Sequence, residues 1–244
     1  MKRYFFEISY RGTDFFGWQR QPREISIQEE IENALSKINS NRPISVLGCG
    51  RTDTGVHAKQ FFFHVELGEI DSKTQFIFKM NRLLPDSIVV HNIEVVSNCK
   101  HARFDAKERT YRYFIHQKKD AFNYSLSWFF PQKLNFEKMN EAALILLGTQ
   151  DFTSLSKLHT DVKTNICTIT KAKWIQQSEY EWFFEISADR FLRNMVRATV
   201  GTLIEVGLGK IEPSAIHTII EVKDRQAAST SVPAQGLFLW KIKY

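Results

Sequence analysis

Residues 3 to 10 alternate, with Tyr4, Phe6, Ile8 and Tyr10 on one side and Arg3, Phe5, Glu7 and Ser9 on the other, the period-two pattern of a β-strand. A loop rich in glycine and aromatic residues follows. Ser26 with Glu29 three residues later reads as a capping box. Ile27, Ile31, Leu35 and Ile38 then recur at helical spacing to about Asn39, which predicts an amphipathic helix. Beyond it, 44–48 predicts a short strand, 49–56 a turn-rich loop and 60–67 a strand dense in aromatic rings, and Pro85 closes a helix over 74–83. Strands are predicted over 88–96, 110–116, 166–176 and 182–188. A helix over 135–147 is closed by Gly148, and one over 191–206 is stopped by Gly207 and Gly209. Pro213 opens a short helix to about Val222, and 236–243 closes the chain as an apolar strand.

Strands and helices are mixed, with several strands in succession, so the pattern predicts an α+β fold with a largely antiparallel sheet rather than a doubly wound parallel one. Both halves run strand, helix, strand, helix, strand in outline without a detectable sequence repeat. The expected organisation is two α/β lobes, 1–105 and 106–244, sharing a central sheet with helices packed on it.

Composition narrows the class. The 244 residues are 43% hydrophobic and 25% charged, as in a folded globular protein. No apolar run approaches the roughly 18 residues of a membrane span, and Glu7 and Arg11 interrupt the start before a signal-peptide core forms. Cys49, Cys99 and Cys167 are scattered, with no C-x-x-C pair, so neither a disulfide framework nor a cysteine zinc site is expected, and a reducing cytoplasm fits. The net charge of +6 leans toward polyanions. The excess gathers late in the chain, with 14 basic against 13 acidic residues through position 105 and 19 against 14 beyond it.

The densest chemistry lies in Gly48-Cys49-Gly50-Arg51-Thr52-Asp53-Thr54-Gly55-Val56-His57-Ala58, between two apolar strands. Three glycines allow tight turns and close backbone approach, so this loop can present Asp53 from a rigid edge; the bland alternative is an ordinary solvated turn. Asp53-Thr54-Gly55 matches an aspartic-protease half-site, but that chemistry needs two carboxylates sharing a proton and the chain has one copy. A metal site is not expected, because His57 stands four residues from Asp53 with no further ligand at a recognisable spacing. The remaining reading is an ionised nucleophile or base in a phosphate-rich site, with Arg51 or Arg197 opposing the rise in pKa that burial against a base would cause.

Two cationic clusters support it. On a helical wheel Arg190, Arg193 and Arg197 fall within roughly 60° of one another, and the alternative is a solvated basic face. In Arg109-Thr110-Tyr111-Arg112-Tyr113, strand alternation puts Arg109, Tyr111 and Tyr113 on one face. Rings that stack and guanidiniums that take phosphate are what an unpaired base needs, although tyrosines on a strand also serve as core.

These segments together resemble the tRNA pseudouridine synthase A family. The likeness runs through Tyr10-Arg11-Gly12-Thr13, Phe16-Gly17-Trp18-Gln19, Ile27-Gln28, the 50–58 loop, 81–85, Phe104-Asp105-Ala106 and Arg109-Thr110-Tyr111-Arg112-Tyr113. It continues through 148–152, 191–201 and Pro233-Ala234-Gln235-Gly236-Leu237, and so covers essentially the whole chain in order. The resemblance implies isomerisation of uridine to pseudouridine at positions 38 to 40 of the tRNA anticodon stem-loop, by a homodimer with no metal or organic cofactor. It also implies a basic active-site cleft between the lobes. Asp53 matches the catalytic aspartate, Tyr111 the tyrosine that stacks on the target base, and Arg197 the arginine paired with the aspartate. Arg51, Arg109, Arg193 and His57 are expected to contact the substrate. Thr54, where alanine is usual, and Ser229-Thr230-Ser231-Val232 before Pro233 depart from the family pattern. The competing functions are a related synthase of other RNA positions and a non-catalytic tRNA-binding module; an intact Asp53 argues against the second, because binding phosphate gains nothing from a carboxylate.

Overall fold

The computed structural model describes residues 1–157 and 164–244. The chain forms two compact units, one of Met1–Ala106 with Leu239–Tyr244 and one of Lys107–Phe238. The final strand thus leaves the second unit and ends in the first.

In the first unit β1 (Lys2–Tyr10) lies between β3 (His57–Leu67) and β4 (Ile88–Val96), antiparallel to both. β2 (Leu47–Gly48) pairs with β3, and the end of β10 (Leu237–Lys243) lies beside β3 on its other side. The alternation of β1 sets the core: Phe6 faces Phe63 and stacks on it at 4.8 Å, while Trp18 stacks on Phe61 at 4.1 Å. Such buried rings are worth about 3–5 kcal/mol each against alanine. α1 (Ile27–Ile38) begins where the capping box places it, with Ser26 Oγ accepting from Glu29 N at 3.2 Å. α2 (Lys73–Leu83) packs Phe76 edge-on against Phe6 at 6.0 Å. The strand expected over 44–48 shortens to two residues. Val46 N instead bonds the buried carboxylate of Glu32 at 3.1 Å, which draws the backbone out of the ladder.

In the second unit the strand order is β5-β9-β8-β7, all antiparallel. The strands are β5 (Glu108–His116), β7 (Gly148–Asp151), β8 (Ile166–Gln176) and β9 (Glu181–Ala188). β6 (Trp128–Phe129) adds a short parallel pair to β5. α3 (Phe136–Leu144) ends before Gly148, which instead opens β7 at φ 93°. α4 (Met195–Gly207) is buried on nearly all sides, as its near-continuous apolar sequence requires. It is followed by α5 (Ala215–Glu221). Both units are α+β with largely antiparallel strands, and no helix of the described residues is long and apolar enough to cross a membrane.

One expectation fails at α4. The helix starts at Met195, because Asn194 adopts a left-handed conformation at φ 66°. Arg190 and Arg193 therefore lie in the turn before the helix, and the helical wheel that grouped them with Arg197 does not apply.

Candidate active site

Asp53 sits between β2 and β3 on a loop whose backbone is fixed from below by the 10–18 segment. The Tyr10 hydroxyl and Thr52 Oγ1 share a buried hydrogen bond of 2.8 Å, and Trp18 N donates to Thr52 O at 3.1 Å. Gly17, at φ 85°, passes so close that a Cβ there would meet Thr52 O at 2.4 Å and the Asp53 carbonyl carbon at 3.1 Å. Only glycine permits both that conformation and that approach. Val56 N donates to Asp53 O at 3.1 Å and Gly55 N to Phe15 O at 3.3 Å, closing the turn around the carboxylate. The far side is anchored by His57, whose Nδ1 accepts from Gly12 N at 3.0 Å.

The exposures on this loop divide the labour. Asp53 is half-buried, Arg51 and Thr54 are exposed, and Thr52 is buried. His57, expected among the substrate contacts, has no exposed surface, because its ring is spent on holding Gly12 beneath the loop. The sequence signal for this bed was the spacing of Gly12 and Gly17 with two buried aromatics, Tyr10 and Trp18, beside them.

The second unit carries the remaining residues. β5 and β9 pair with Tyr111 opposite Ile186, and Phe191 meets the Tyr111 ring edge-on at 5.0 Å, leaving the tyrosine half-buried. Arg109 Nη1 donates to Asp189 O at 2.8 Å, which ties the guanidinium to the turn that precedes α4. On the opposite face Arg112 and Lys171 both bind Glu185 at 2.5 Å. Burial alone would raise the Glu185 carboxyl, but hydrogen bonds from Lys171 and Arg112, with their charges, hold it below the usual carboxylate range. Tyr113 is fully buried and donates to Pro233 O at 2.8 Å. Burial pushes its phenol well up, only partly opposed by the charge of Arg197, so Tyr113 is a structural hydroxyl rather than a proton carrier.

Arg197, in the first turn of α4, donates from Nε to Val232 O at 2.7 Å, and Val232 N returns a bond to Arg197 O at 3.3 Å. Its terminal amino groups make no hydrogen bond among the described residues. Residues 229–232, where the sequence departs from the family, are the strap that fixes this arginine. Asn194 Nδ2 donates to Ser231 Oγ, Ser229 N donates to Thr202 Oγ1 at 3.2 Å, and Arg225 binds Ala228 O, Ser229 O and Ser231 Oγ at 3.1, 2.9 and 3.3 Å. Gly201 lets the strap lie flat on α4, since a Cβ there would meet Thr230 O at 2.1 Å. A serine-rich strap thus supplies by side-chain bonds what a rigid turn would supply by conformation.

The comparisons with known proteins bear on what this arrangement does. The family model described as tRNA pseudouridine synthase matches residues 142–244. A tRNA pseudouridine synthase A of Parabacteroides distasonis is 49% identical over all of this chain and 96% of its own length, and one of Bacteroides fragilis is 49% identical over all of this chain and 97% of its own. The Bacillus subtilis protein of that name is 38% identical over 97% of both chains. The chain belongs to the tRNA pseudouridine synthase A family.

For a member of the tRNA pseudouridine synthase A family, the distribution of the expected site residues follows its two units. Arg51, Asp53 and His57 share one loop of the first. Tyr111 and Arg109 lie on β5, Arg193 in the exposed turn before α4, and Arg197 on α4, all in the second. No group of three metal-ligating side chains occurs among the described residues.

Proposed function

We propose that this protein isomerises uridine to pseudouridine at positions 38 to 40 of the tRNA anticodon stem-loop, with Asp53 as nucleophile or base, in the cytoplasm and as a homodimer. The observation that carries the assignment of Asp53 is its bed: a single half-buried carboxylate fixed by hydrogen bonds at Thr52, by the Gly17 approach and by the Gly12–His57 contact. A loop held this tightly keeps a carboxylate in reacting geometry. The reaction is an internal rearrangement. The bond from N1 to C1′ breaks, uracil turns, C5 bonds to C1′, the proton on C5 leaves and N1 gains one. One carboxylate suffices as nucleophile or base, provided the freed uracil is held in place.

Tyr111 stacks on the target base from β5, with Phe191 bracing its ring. Arg197, strapped at Nε and keeping its terminal amino groups for an anion, balances the charge of the carboxylate or a phosphate. Arg51, Arg109 and Arg193 take the RNA backbone, where the cationic excess of the second half favours approach of a polyanion. No redox partner or Lewis acid is required by the bond changes written above.

The test is release of tritium from tRNA labelled at C5 of uridine, with wild type and Asp53→Asn in parallel. Wild type is expected to release label, and Asp53→Asn to release none while binding tRNA within a few-fold of wild type. Comparable turnover by the variant would remove Asp53 from the chemistry. No release by wild type from any tRNA would overturn the synthase reading itself.

A further inference from the structure

The turn 101–105 displays one phenyl ring outward from a frame of six hydrogen bonds. Phe104 is 74% exposed. Its frame is not loose: His101 N donates to Asp105 Oδ2 at 2.9 Å, and Asp105 N donates to His101 O at 3.1 Å. His101 Nδ1 accepts from Arg103 N and Phe104 N at 3.1 and 3.4 Å. The fully buried Ala102 is gripped from two sides, its N–H donating to His64 Nδ1 at 3.2 Å and its carbonyl accepting from the Tyr244 hydroxyl at 2.7 Å. Six hydrogen bonds, two of them made by residues of β3 and the C-terminus, hold the ring in solvent.

The ring also ends a column. Phe5 stacks on His64 at 6.0 Å, His64 meets His101 at 4.6 Å, and His101 meets Phe104 at 4.3 Å, so aromatic groups run from the sheet to the surface. The guanidinium of Arg103 lies 5.8 Å from the Phe104 ring, and Lys100 Nζ lies 3.9 Å from Asp105. A rigid turn that leaves a large apolar ring uncovered, capping a ring column with cations beside it, has the composition of a stacking platform for an unpaired base. Along β3, His64 pairs with Leu47 beside the start of the Asp53 loop and lies seven residues beyond His57, roughly 20 Å along an extended strand from the loop's other end.

We propose that Phe104 is a second RNA contact, stacking on an unpaired base of the tRNA outside the target nucleotide, with Arg103 taking an adjacent phosphate. The proposal rests on the tRNA reading above and adds an RNA contact beyond the target nucleotide. Phe104 touches none of the reacting atoms and acts through affinity and placement.

The experiment compares wild type, Phe104→Ala, Phe104→Trp and Arg103→Ala for equilibrium binding of unmodified tRNA across a salt series, and for single-turnover tritium release at saturating tRNA. Phe104→Ala is expected to weaken tRNA binding by roughly tenfold or more with the salt slope unchanged, because stacking releases no counterions. Phe104→Trp is expected to restore it, and Arg103→Ala to lower the slope by about one. Single-turnover release at saturation should be little changed in all three, and thermal melting, checked in each, should match wild type because the ring is already in solvent. Wild-type binding by Phe104→Ala, while wild type itself binds and isomerises tRNA, overturns this inference alone. Loss of self-association by Phe104→Ala, with tRNA binding unchanged, would also overturn it, assigning the ring to a contact between copies of the chain. Failure of wild type to bind or turn over tRNA overturns the parent reading, and this inference with it.

Discussion

At the scale of single residues, the candidate chemistry depends on atoms that are absent as much as on those present. Gly17 has no Cβ at the one place where a methyl would press into Thr52 O, and its φ of 85° is one that other residues seldom adopt. Gly17→Ala is expected to destabilise the protein by about 1–3 kcal/mol in urea unfolding. It should also lower turnover more than tRNA affinity, since the strain is delivered to the backbone of Asp53. An alanine variant with wild-type turnover would show that the loop tolerates displacement. Asp53 itself was legible in the sequence as the only carboxylate of the glycine-rich loop between two apolar strands. The burial of His57 was not, because four-residue spacing from Asp53 says nothing about which way an imidazole is turned.

At the scale of elements, the instructive case is α4. Its apolar residues recur so densely that the helix is readable, but the start is set by Asn194 in a left-handed conformation and by the bond from its side chain to Ser231, 37 residues away. Such a contact leaves no local pattern, which is why a helical wheel places Arg190 and Arg193 on a helix they do not join. The strap has a testable role. Ser231→Ala removes the acceptor of both Asn194 and Arg225, and is expected to cost about 1–3 kcal/mol of stability, read by urea unfolding. It should lower turnover through the altered placement of Arg197, and unchanged turnover would separate the strap from the site. Arg193 stands exposed in the turn. Arg193→Ala is expected to weaken tRNA binding uniformly and reduce the magnitude of the salt slope by about one, and an unchanged slope would exclude a phosphate contact.

At the scale of the whole molecule, the charge balance of the fold depends on pH through several partly or fully buried groups, His64 and Glu185 among them. His64 is held down to about 4 by burial, then by the charges of His101 and Arg3, against the pull of Glu66 and Asp105. Its ring stays neutral in the fold where the unfolded chain, at an ordinary value near 6.5, takes up a proton. That contribution to stability is complete above pH 6.5 and is lost as the pH falls toward 4. Glu185, depressed by Lys171 and Arg112, contributes above its ordinary value of 4.5 and fails only at lower pH. The melting temperature is therefore expected to fall between pH 6.5 and 4, with a shallower fall in His64→Gln, whose amide oxygen can still accept from Ala102. Equal pH dependence in the two proteins would remove His64 as the cause.

The sequence by itself determined the α+β class, the positions of most strands and helices, and the family. Periodicity is a local property, and the quoted motifs run the length of the chain. Strands 88–96 and 166–176 were readable to the residue, since each is bounded by turn chemistry. Only the tertiary structure decided which residues hold the Asp53 loop and which strap Arg197. It alone showed that a phenyl ring in a turn stands in solvent while the histidines behind it are bound. Those outcomes are settled by contacts between residues up to 142 positions apart, such as Tyr244 with Ala102, and a side chain's orientation is fixed by what it packs against rather than by its neighbours in sequence.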